Sequence, residues 1–487
     1  MMNFDFLFTS LFDKNIAFYI DEKEYTYLEF KQVVFSISNR LNEHNIQGQN
    51  IGVYLSDDLH SYAAFIAIWL TKNAYVPIHP SYPDNRRIDI IKQAEINYVL
   101  VTDSHPVCIV GPTSINISSL HPAEKLSFHY IEHIKSDLMY ILFTSGSTGA
   151  PKGVQINCGN LCSFMDHLTS VKMPLTVGDR FLQMFELTFD LSVVSFLFPL
   201  QLGGTVYHVG TNQVKYLEIY RLLEEHAINY AIIVPSVLAM LRPYFEDIDL
   251  PNLKVVALSG EAVPLKLTEE FQLCCPNASF FNYYGPTECT IFCTAYEIPR
   301  TEIKSANGIV SIGKPTLNSV YKLCELPKDG EELNASSELH IGGEQVSIGY
   351  VQNEEMNKTL FYKNGETPYY NTGDLVFCDD MGFLYYLGRK DQQVKIQGYR
   401  IELMEVEHLC NKALEATSVV VAIKNEKGFD ELILFVKETE NNSITERLNQ
   451  YLPKYMVPGR IIHMKDFPMN ENGKLDRKSL RNSLLNS

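Results

Sequence analysis

Ten consecutive residues, Thr144-Ser-Gly-Ser-Thr-Gly-Ala-Pro-Lys-Gly153, carry four hydroxyls, three glycines and one lysine. These residue types suit a phosphate. Glycines let main-chain N–H groups converge on an anion with no Cβ in the way, hydroxyls add neutral donors, and Lys152 adds a positive charge. The order departs from the P-loop pattern, because Pro151 stands where a glycine should precede the lysine, and this excludes a Walker-type ATPase. Three further stretches carry groups of the same chemistry. Asn282-Tyr-Tyr-Gly-Pro-Thr-Glu288 offers an aromatic ring, a tight turn and a carboxylate. Thr372-Gly-Asp374 offers a carboxylate suited to a ribose diol, and Lys474 lies in the polar run Asn470-Glu-Asn-Gly-Lys-Leu-Asp476. Taken singly, each of these reads more readily as a turn or a solvated charge.

The elements that position these groups follow from hydrophobic period. Leu138-Met-Tyr-Ile-Leu-Phe143 is a buried strand that delivers the glycine-rich loop. Tyr27 to Leu41 sets Phe30, Val33, Val34, Ile37 and Leu41 on one helical face, followed by the strand Ile51 to Leu55. Helix 63–72 precedes strand 74–78, helix 87–94 precedes strand 98–102, and helix 216–226 precedes strand 230–234; strands 254–258 and 279–283 follow. Repeated helix–strand units with nearly continuous apolar strands predict an α/β fold, a large domain of mostly parallel sheets covered by helices. In open α/β sheets ligands bind at the ends of the strands, which is where Asn282 to Glu288 falls. From Phe383 the pattern changes to short hairpin strands, 385–389, 393–397 and 400–403, with a turn at Gly398. A helix at 405–416, strands at 419–423 and 432–436 and a helix at 445–452 complete a small α+β unit. The boundary is placed at Asp391, giving domains 1–390 and 391–487, with Asp391 as a hinge that lets the smaller one move.

Composition limits the partners. A formal charge of −17 argues against nucleic acid, which requires a basic face. The ten cysteines are scattered without a C-x-x-C pair and are expected as reduced, mostly buried thiols of a cytoplasmic protein. The N-terminus lacks a basic n-region, and the apolar run 62–70 is too short to span a bilayer, so no targeting segment and no membrane role is expected.

Together, Thr144–Gly153, Tyr284–Glu288, Thr372–Asp374, Gly388–Glu402 and Asn472–Lys474 resemble, in order and spacing, the adenylate-forming enzymes, and in particular the amino-acid adenylation domains of nonribosomal peptide synthetases. The resemblance runs from about Tyr25 to Leu480. It implies that a carboxylate attacks the α-phosphate of ATP, with Mg2+ as cofactor, to give an acyl-adenylate and pyrophosphate, after which a thiol takes the acyl group. By this resemblance Thr144, Ser145, Gly146, Ser147, Thr148, Gly149 and Lys152 would line the β- and γ-phosphates, and Glu288 would hold Mg2+. Tyr284, with Gly285 and Thr287 beside it, would stack on adenine, Asn282 would read its edge, and Asp374 and Arg389 would hold the ribose. Lys474 would bridge the substrate carboxylate and the α-phosphate, delivered and withdrawn by rotation about Asp391, which then presents Gly398 and Tyr399.

Substrate class rests on Asp190 in Thr188-Phe-Asp-Leu-Ser192. In amino-acid-activating relatives an aspartate here pairs with the α-ammonium; the alternative is an Asp helix N-cap. The resemblance assigns Leu191, Val194, Ile232, Ala257, Ser259, Gly260, Tyr283, Ile291 and Phe292 to the side-chain pocket. Tyr283 and Phe292 are expected to shorten it, which favours a small or compact apolar amino acid. The segment Ser259-Gly-Glu-Ala-Val-Pro264 and the chain length are similar also to stand-alone D-alanine–carrier protein ligases, although Ser259 stands where that group has a cysteine. His79 replaces a usual aspartate and has no assigned role. Nothing after Lys474 resembles a carrier domain, so the acceptor is expected in trans: a phosphopantetheinylated carrier protein, with coenzyme A as the alternative. Two other classes remain open, an acyl-CoA ligase for amine-free acids and a silent nucleotide-binding scaffold.

Overall fold

The computed structural model describes residues 4–103, 111–124, 132–146, 150–210, 214–325, 336–437, 444–469 and 475–485. Ser147, Thr148, Gly149 and Lys474, all singled out above, lie outside the described residues.

The chain packs as two compact units, Met1–Pro80, Ile91–Leu142 and Gly153–Lys390 forming the larger, and Ser81–Ile90, Phe143–Lys152 and Asp391–Ser487 the smaller. The larger unit contains two sheets rich in parallel pairs. The first runs Thr113–Asn116, Tyr98–Val101, Asn50–Tyr54, Ala74–Ile78, Leu138–Thr144, Lys152–Asn157, and its pairings from Thr113–Asn116 to Leu138–Thr144 are parallel. The second has nine strands. In it Ser279–Tyr284, Val255–Ser259, Tyr230–Ile233, Arg180–Gln183, Thr205–His208 and Ile16–Ile20 run parallel, with antiparallel neighbours at both edges. Helices bury these strands, as the apolar runs require. Tyr27–Glu43 starts with a capping box between Thr26 and Glu29, and its first residue sends its hydroxyl to the Gly204 carbonyl (2.8 Å). Trp69, on the buried helix Leu59–Leu70, donates its indole N–H to the Met139 carbonyl at 2.7 Å, just ahead of the glycine-rich loop.

A third sheet is wholly antiparallel and begins well before the change of pattern near Phe383. It comprises Ser319–Glu325, Ser337–Gly343, Thr367–Cys378, Phe361–Asn364 and Leu384–Arg389. Thr372-Gly-Asp374, which has the composition of a turn, sits inside the twelve-residue strand Thr367–Cys378. Gly373 adopts φ +71°, and the ladder slips in register beside it. A bulge of this kind kinks a strand and re-aims its side chains.

In the smaller unit the hairpin Gln393–Ile396 and Tyr399–Glu402 turns through Gln397 (φ +51°) and Gly398 (φ +84°), both left-handed as a tight two-residue turn requires. The helix Leu403–Leu414 and a three-stranded sheet, Ser418–Lys424, Asp430–Lys437 and Arg460–Met464, follow. Val419, Val421, Ile433, Phe435 and Leu480 form its core. Glu407 holds the C-terminal helix through a two-pronged pair with Arg477, at 2.5 and 2.6 Å.

Candidate functional site

In the larger unit, the strand Ser279–Tyr284 ends at Gly285, where a Cβ would lie 2.4 Å from the Phe292 Cα. Only glycine lets the two segments approach so closely. Tyr284 is buried and donates its hydroxyl to Asp374 Oδ2, while Arg389 Nη1 donates to Asp374 Oδ1 at 2.6 Å. Asp374 and Arg389 face each other directly across the pair Thr367–Cys378 and Leu384–Arg389. Burial, and then the Asp374 charge, push the Tyr284 phenol well above its ordinary pKa, so it stays protonated and remains a donor. Each carboxylate oxygen has a second lone pair, so Asp374 retains acceptor capacity for a diol. Asn282 is also buried, and its amide N–H group is engaged by the Ser311 carbonyl at 2.8 Å, leaving its oxygen for any ligand.

Thr287 opens the short turn Thr287–Cys289 that carries Glu288. Glu288 is wholly buried (0 %) and accepts the Tyr350 hydroxyl at 2.5 Å. One buried carboxylate is a fitting Mg2+ ligand, since that ion is held by one or two carboxylates with phosphate oxygens and water completing its shell. Among the described residues no group of three or more His, Cys, Asp or Glu side chains could form an all-protein cage. Immediately beyond, Thr290 (φ +56°) and Ile291 (φ +72°) are consecutive β-branched residues in the left-handed region, a strained arrangement that needs external support. Gln345, fully buried, supplies it. Its amide N–H group reaches the Phe292 carbonyl at 2.7 Å, its carbonyl accepts Thr316 Oγ1 at 2.8 Å, and its own main-chain carbonyl accepts Thr290 Oγ1 at 2.6 Å.

The residues assigned to substrate are also in the larger unit. Asp190, 9 % exposed, is the first helical residue of Asp190–Leu202, with Phe189 in the cap position, so it is not the N-cap that its sequence allows. Its negative charge at a helix N-terminus is favourably placed. It also helps burial push the phenols of Tyr75 and Tyr140 up. Leu191 and Val194 are buried on the same helix. Ile232 pairs with Ala257, and Ser259 pairs with Tyr283 while donating its hydroxyl to the Tyr283 carbonyl at 2.9 Å. Gly260 follows that strand end with φ +89°. Tyr283 stacks on Phe292 at 4.0 Å, and Phe164 meets Phe292 edge-on at 4.7 Å. His167 lies edge-on to the same ring, and burial pulls its imidazole down to about 4.

In the smaller unit the glycine-rich loop is seen at both ends. Gly146 has no room for a Cβ, which would fall 1.8 Å from the Ala150 carbonyl oxygen. Thr144 Oγ1 lies 3.5 Å from the Lys152 carbonyl oxygen. The donors meet carboxylates and a carbonyl. Gly146 N–H donates to Glu405 Oε2 at 2.9 Å, Lys152 Nζ pairs with Glu402 Oε1 at 3.2 Å, and Ser145 Oγ donates to the Arg400 carbonyl at 2.7 Å. Arg86 Nη1 donates to the other oxygen of Glu405 at 2.9 Å, and both side chains of that pair are buried. Burial raises the Glu405 pKa, while Arg86 and the Gly146 N–H oppose that rise. A cleft of ≈ 310 Å³ opens beside them, lined by Arg86, Pro151, Glu405, His408, Lys412 and Tyr451 among others. Asp391 begins this unit and accepts the Gln393 N–H at 3.1 Å. Tyr350, Gln345, Arg86 and Glu405 were not marked by sequence; their partners lie tens to hundreds of residues away, and no local pattern signals them.

A glycine-rich loop after a parallel-sheet strand, and a strand-end tyrosine bonded to a carboxylate–arginine pair on the antiparallel sheet, are the features of an AMP-forming adenylating ligase. The chain belongs to the AMP-binding enzyme family, whose model matches residues 11–351. It is 31 % identical over 486 residues to the D-alanine--D-alanyl carrier protein ligase of Lacticaseibacillus rhamnosus, covering 96 % of this chain and 95 % of that one. It is also 31 % identical over 481 residues to Tyrocidine synthase 3 of Brevibacillus parabrevis, covering 96 % of this chain and 7 % of that protein. Among solved structures, the Vibrio cholerae adenylation domain AlmE, in complex with glycyl-adenosine-5'-phosphate, shares the fold with a TM-score of 0.86 at 23 % identity over 100 % of this chain and 99 % of that one. Among the described residues no helix is long and apolar enough to cross a membrane.

Proposed function

We propose that this chain joins an amino acid to ATP as an aminoacyl-adenylate, releases pyrophosphate, and transfers the acyl group to the phosphopantetheine thiol of a carrier protein supplied in trans. The observation that carries this reading is Asp190, a buried carboxylate at a helix start, at the place where amino-acid-activating relatives by resemblance pair an aspartate with the α-ammonium. In the first step a substrate carboxylate oxygen bonds to the α-phosphorus and the bond to pyrophosphate breaks. In the second, the thiolate sulfur bonds to the acyl carbon and AMP leaves.

Tyr284 supplies the adenine platform, Asp374 and Arg389 hold the ribose, and Lys474 meets the charge that builds between the carboxylate and the α-phosphate. Glu288 would hold Mg2+, which when bound supplies positive charge against the triphosphate. The phosphates take over the donors of Ser145, Gly146 and Lys152 that Arg400, Glu402 and Glu405 engage in this structure. Tyr283 and Phe292, stacked and buried, favour a small or compact apolar side chain. Among the described residues most thiols are buried, which fits a reducing cytoplasmic setting.

The domain roles belong to the same reading: 1–390 binds ATP and amino acid, and 391–487 carries Lys474 and pivots at Asp391. D-Alanine is a second reading of the substrate, favoured by the match over 95 % of a D-alanine--D-alanyl carrier protein ligase. The test is ATP–pyrophosphate exchange with a panel of L- and D-amino acids, glycine and amine-free acids. Exchange confined to amino acids is expected; exchange only with amine-free acids, or with none, contradicts it.

A further inference from the structure

The carboxylate of Glu288 is held by a tyrosine that no motif of the chain marks. Tyr350 donates its hydroxyl to Glu288 Oε1 at 2.5 Å, and its oxygen lies 3.3 Å from the Tyr370 hydroxyl. All three side chains are buried, so water does not compete for these bonds.

The main chain around Tyr350 is fixed at several points. Asn357 grips it from both sides, Oδ1 accepting the Tyr350 N–H at 2.7 Å and Nδ2 donating to the Tyr350 carbonyl at 2.9 Å. Asn357 itself sits on the helix Glu354–Leu360, which Asn353 caps. Ser347 N–H donates to the Glu288 carbonyl at 2.8 Å. Gln155 N–H donates to the Gly349 carbonyl at 3.1 Å, and Val351 N–H to the Gly153 carbonyl at 2.8 Å, so the strand that leaves the glycine-rich loop is pinned to the same segment. The Tyr350 ring packs edge-on against Phe361 at 5.5 Å, which fixes the direction of its hydroxyl.

We propose that Tyr350 is a positioning residue for Glu288: its hydroxyl fixes the orientation of the carboxylate and thereby sets the affinity for Mg2+ without touching the metal. The inference rests on the reading that Glu288 holds that cation. Partners of this kind, one bond removed from the metal, commonly change metal affinity by about 10- to 100-fold when removed.

The experiment compares the wild type with Tyr350→Phe, Tyr370→Phe and Glu288→Gln. Mn2+ binding is read by electron paramagnetic resonance in the presence of a non-hydrolysable ATP analogue, alongside the melting temperature and the amino-acid KM in pyrophosphate exchange. Tyr350→Phe keeps the ring and its packing. It is expected to raise the Mn2+ dissociation constant about 10- to 100-fold, with a modest fall in melting temperature from the lost hydrogen bond, the amino-acid KM unchanged and a smaller effect from Tyr370→Phe. Wild-type Mn2+ affinity in Tyr350→Phe, with the affinity lost in Glu288→Gln, overturns the positioning role alone. Wild-type affinity in Glu288→Gln overturns the metal role of Glu288 and this inference with it. A Tyr350→Phe protein whose melting temperature, amino-acid KM and Mn2+ affinity all deteriorate together also overturns it, because that is the signature of a purely structural residue.

Discussion

The residues assigned to the nucleotide are held in the two units by different kinds of interaction. In the larger unit, Tyr284, Glu288 and the pocket side chains are fixed by phenol hydroxyls, main-chain carbonyls, the Gln345 amide and aromatic stacking, with one ion pair, Asp374–Arg389. In the smaller unit, the donors of the glycine-rich loop are held chiefly by the carboxylates Glu402 and Glu405. Buried networks of hydroxyls, amides and main-chain carbonyls favour one geometry. A carboxylate on a phosphate donor, by contrast, is an anion in the place of another anion and can be exchanged for it. On the proposed function, the adenine, ribose and side-chain contacts fall in the first setting and the phosphate contacts in the second.

This contrast can be broken most visibly at Arg86. Arg86→Ala leaves Glu405 buried without its cation and is expected to cost about 3–5 kcal/mol in urea unfolding. Glu405→Gln added to it should restore part of the loss, and a change within experimental error would show that the loop is not held by charge. Lys474→Ala tests the exchangeable side in catalysis. It should lower amino-acid-dependent pyrophosphate exchange by about 100- to 1,000-fold with unaltered melting, and near-normal exchange would remove the lysine from the mechanism.

In the larger unit, His167 allows a pH test. Its folded pKa, about 4, is below the unfolded value near 6.5, so the unfolded chain binds the proton more readily. The stability it permits is fully present above about pH 6.5 and is lost as the pH falls through about 4, by roughly 3 kcal/mol in all. His167→Gln should flatten that decline in urea midpoints between pH 7 and pH 4; an identical decline would place the acid sensitivity elsewhere.

Most of the helix–strand alternation was legible because apolar period survives in a single sequence: the strand at 74–78 and the hairpin about Gly398 stand where the pattern puts them. The antiparallel sheet from Ser319 to Arg389 was not. Its longest strand contains Pro368 and Gly373, and a bulged strand carries the same residues as a turn. Asp374 and Arg389 could be marked by motif, but their position opposite each other depends on that sheet. Asp190 shows the limit at one residue. Its sequence allows an N-cap, and only the backbone shows that Phe189 takes the cap and that the acid begins the helix, buried. Tyr350, Gln345 and Arg86 act through partners remote in the chain, which periodicity cannot reveal.

The central claim, that this ligase selects its substrate through the α-ammonium at Asp190, is tested most directly by measuring ATP–pyrophosphate exchange with the preferred amino acid and with the same acid lacking the amine, in the wild type and in Asp190→Ala. The account predicts robust exchange by the wild type with the amino acid alone, and loss of that preference in Asp190→Ala. Equal exchange with both acids in the wild type, or an unchanged preference in the variant, would contradict it.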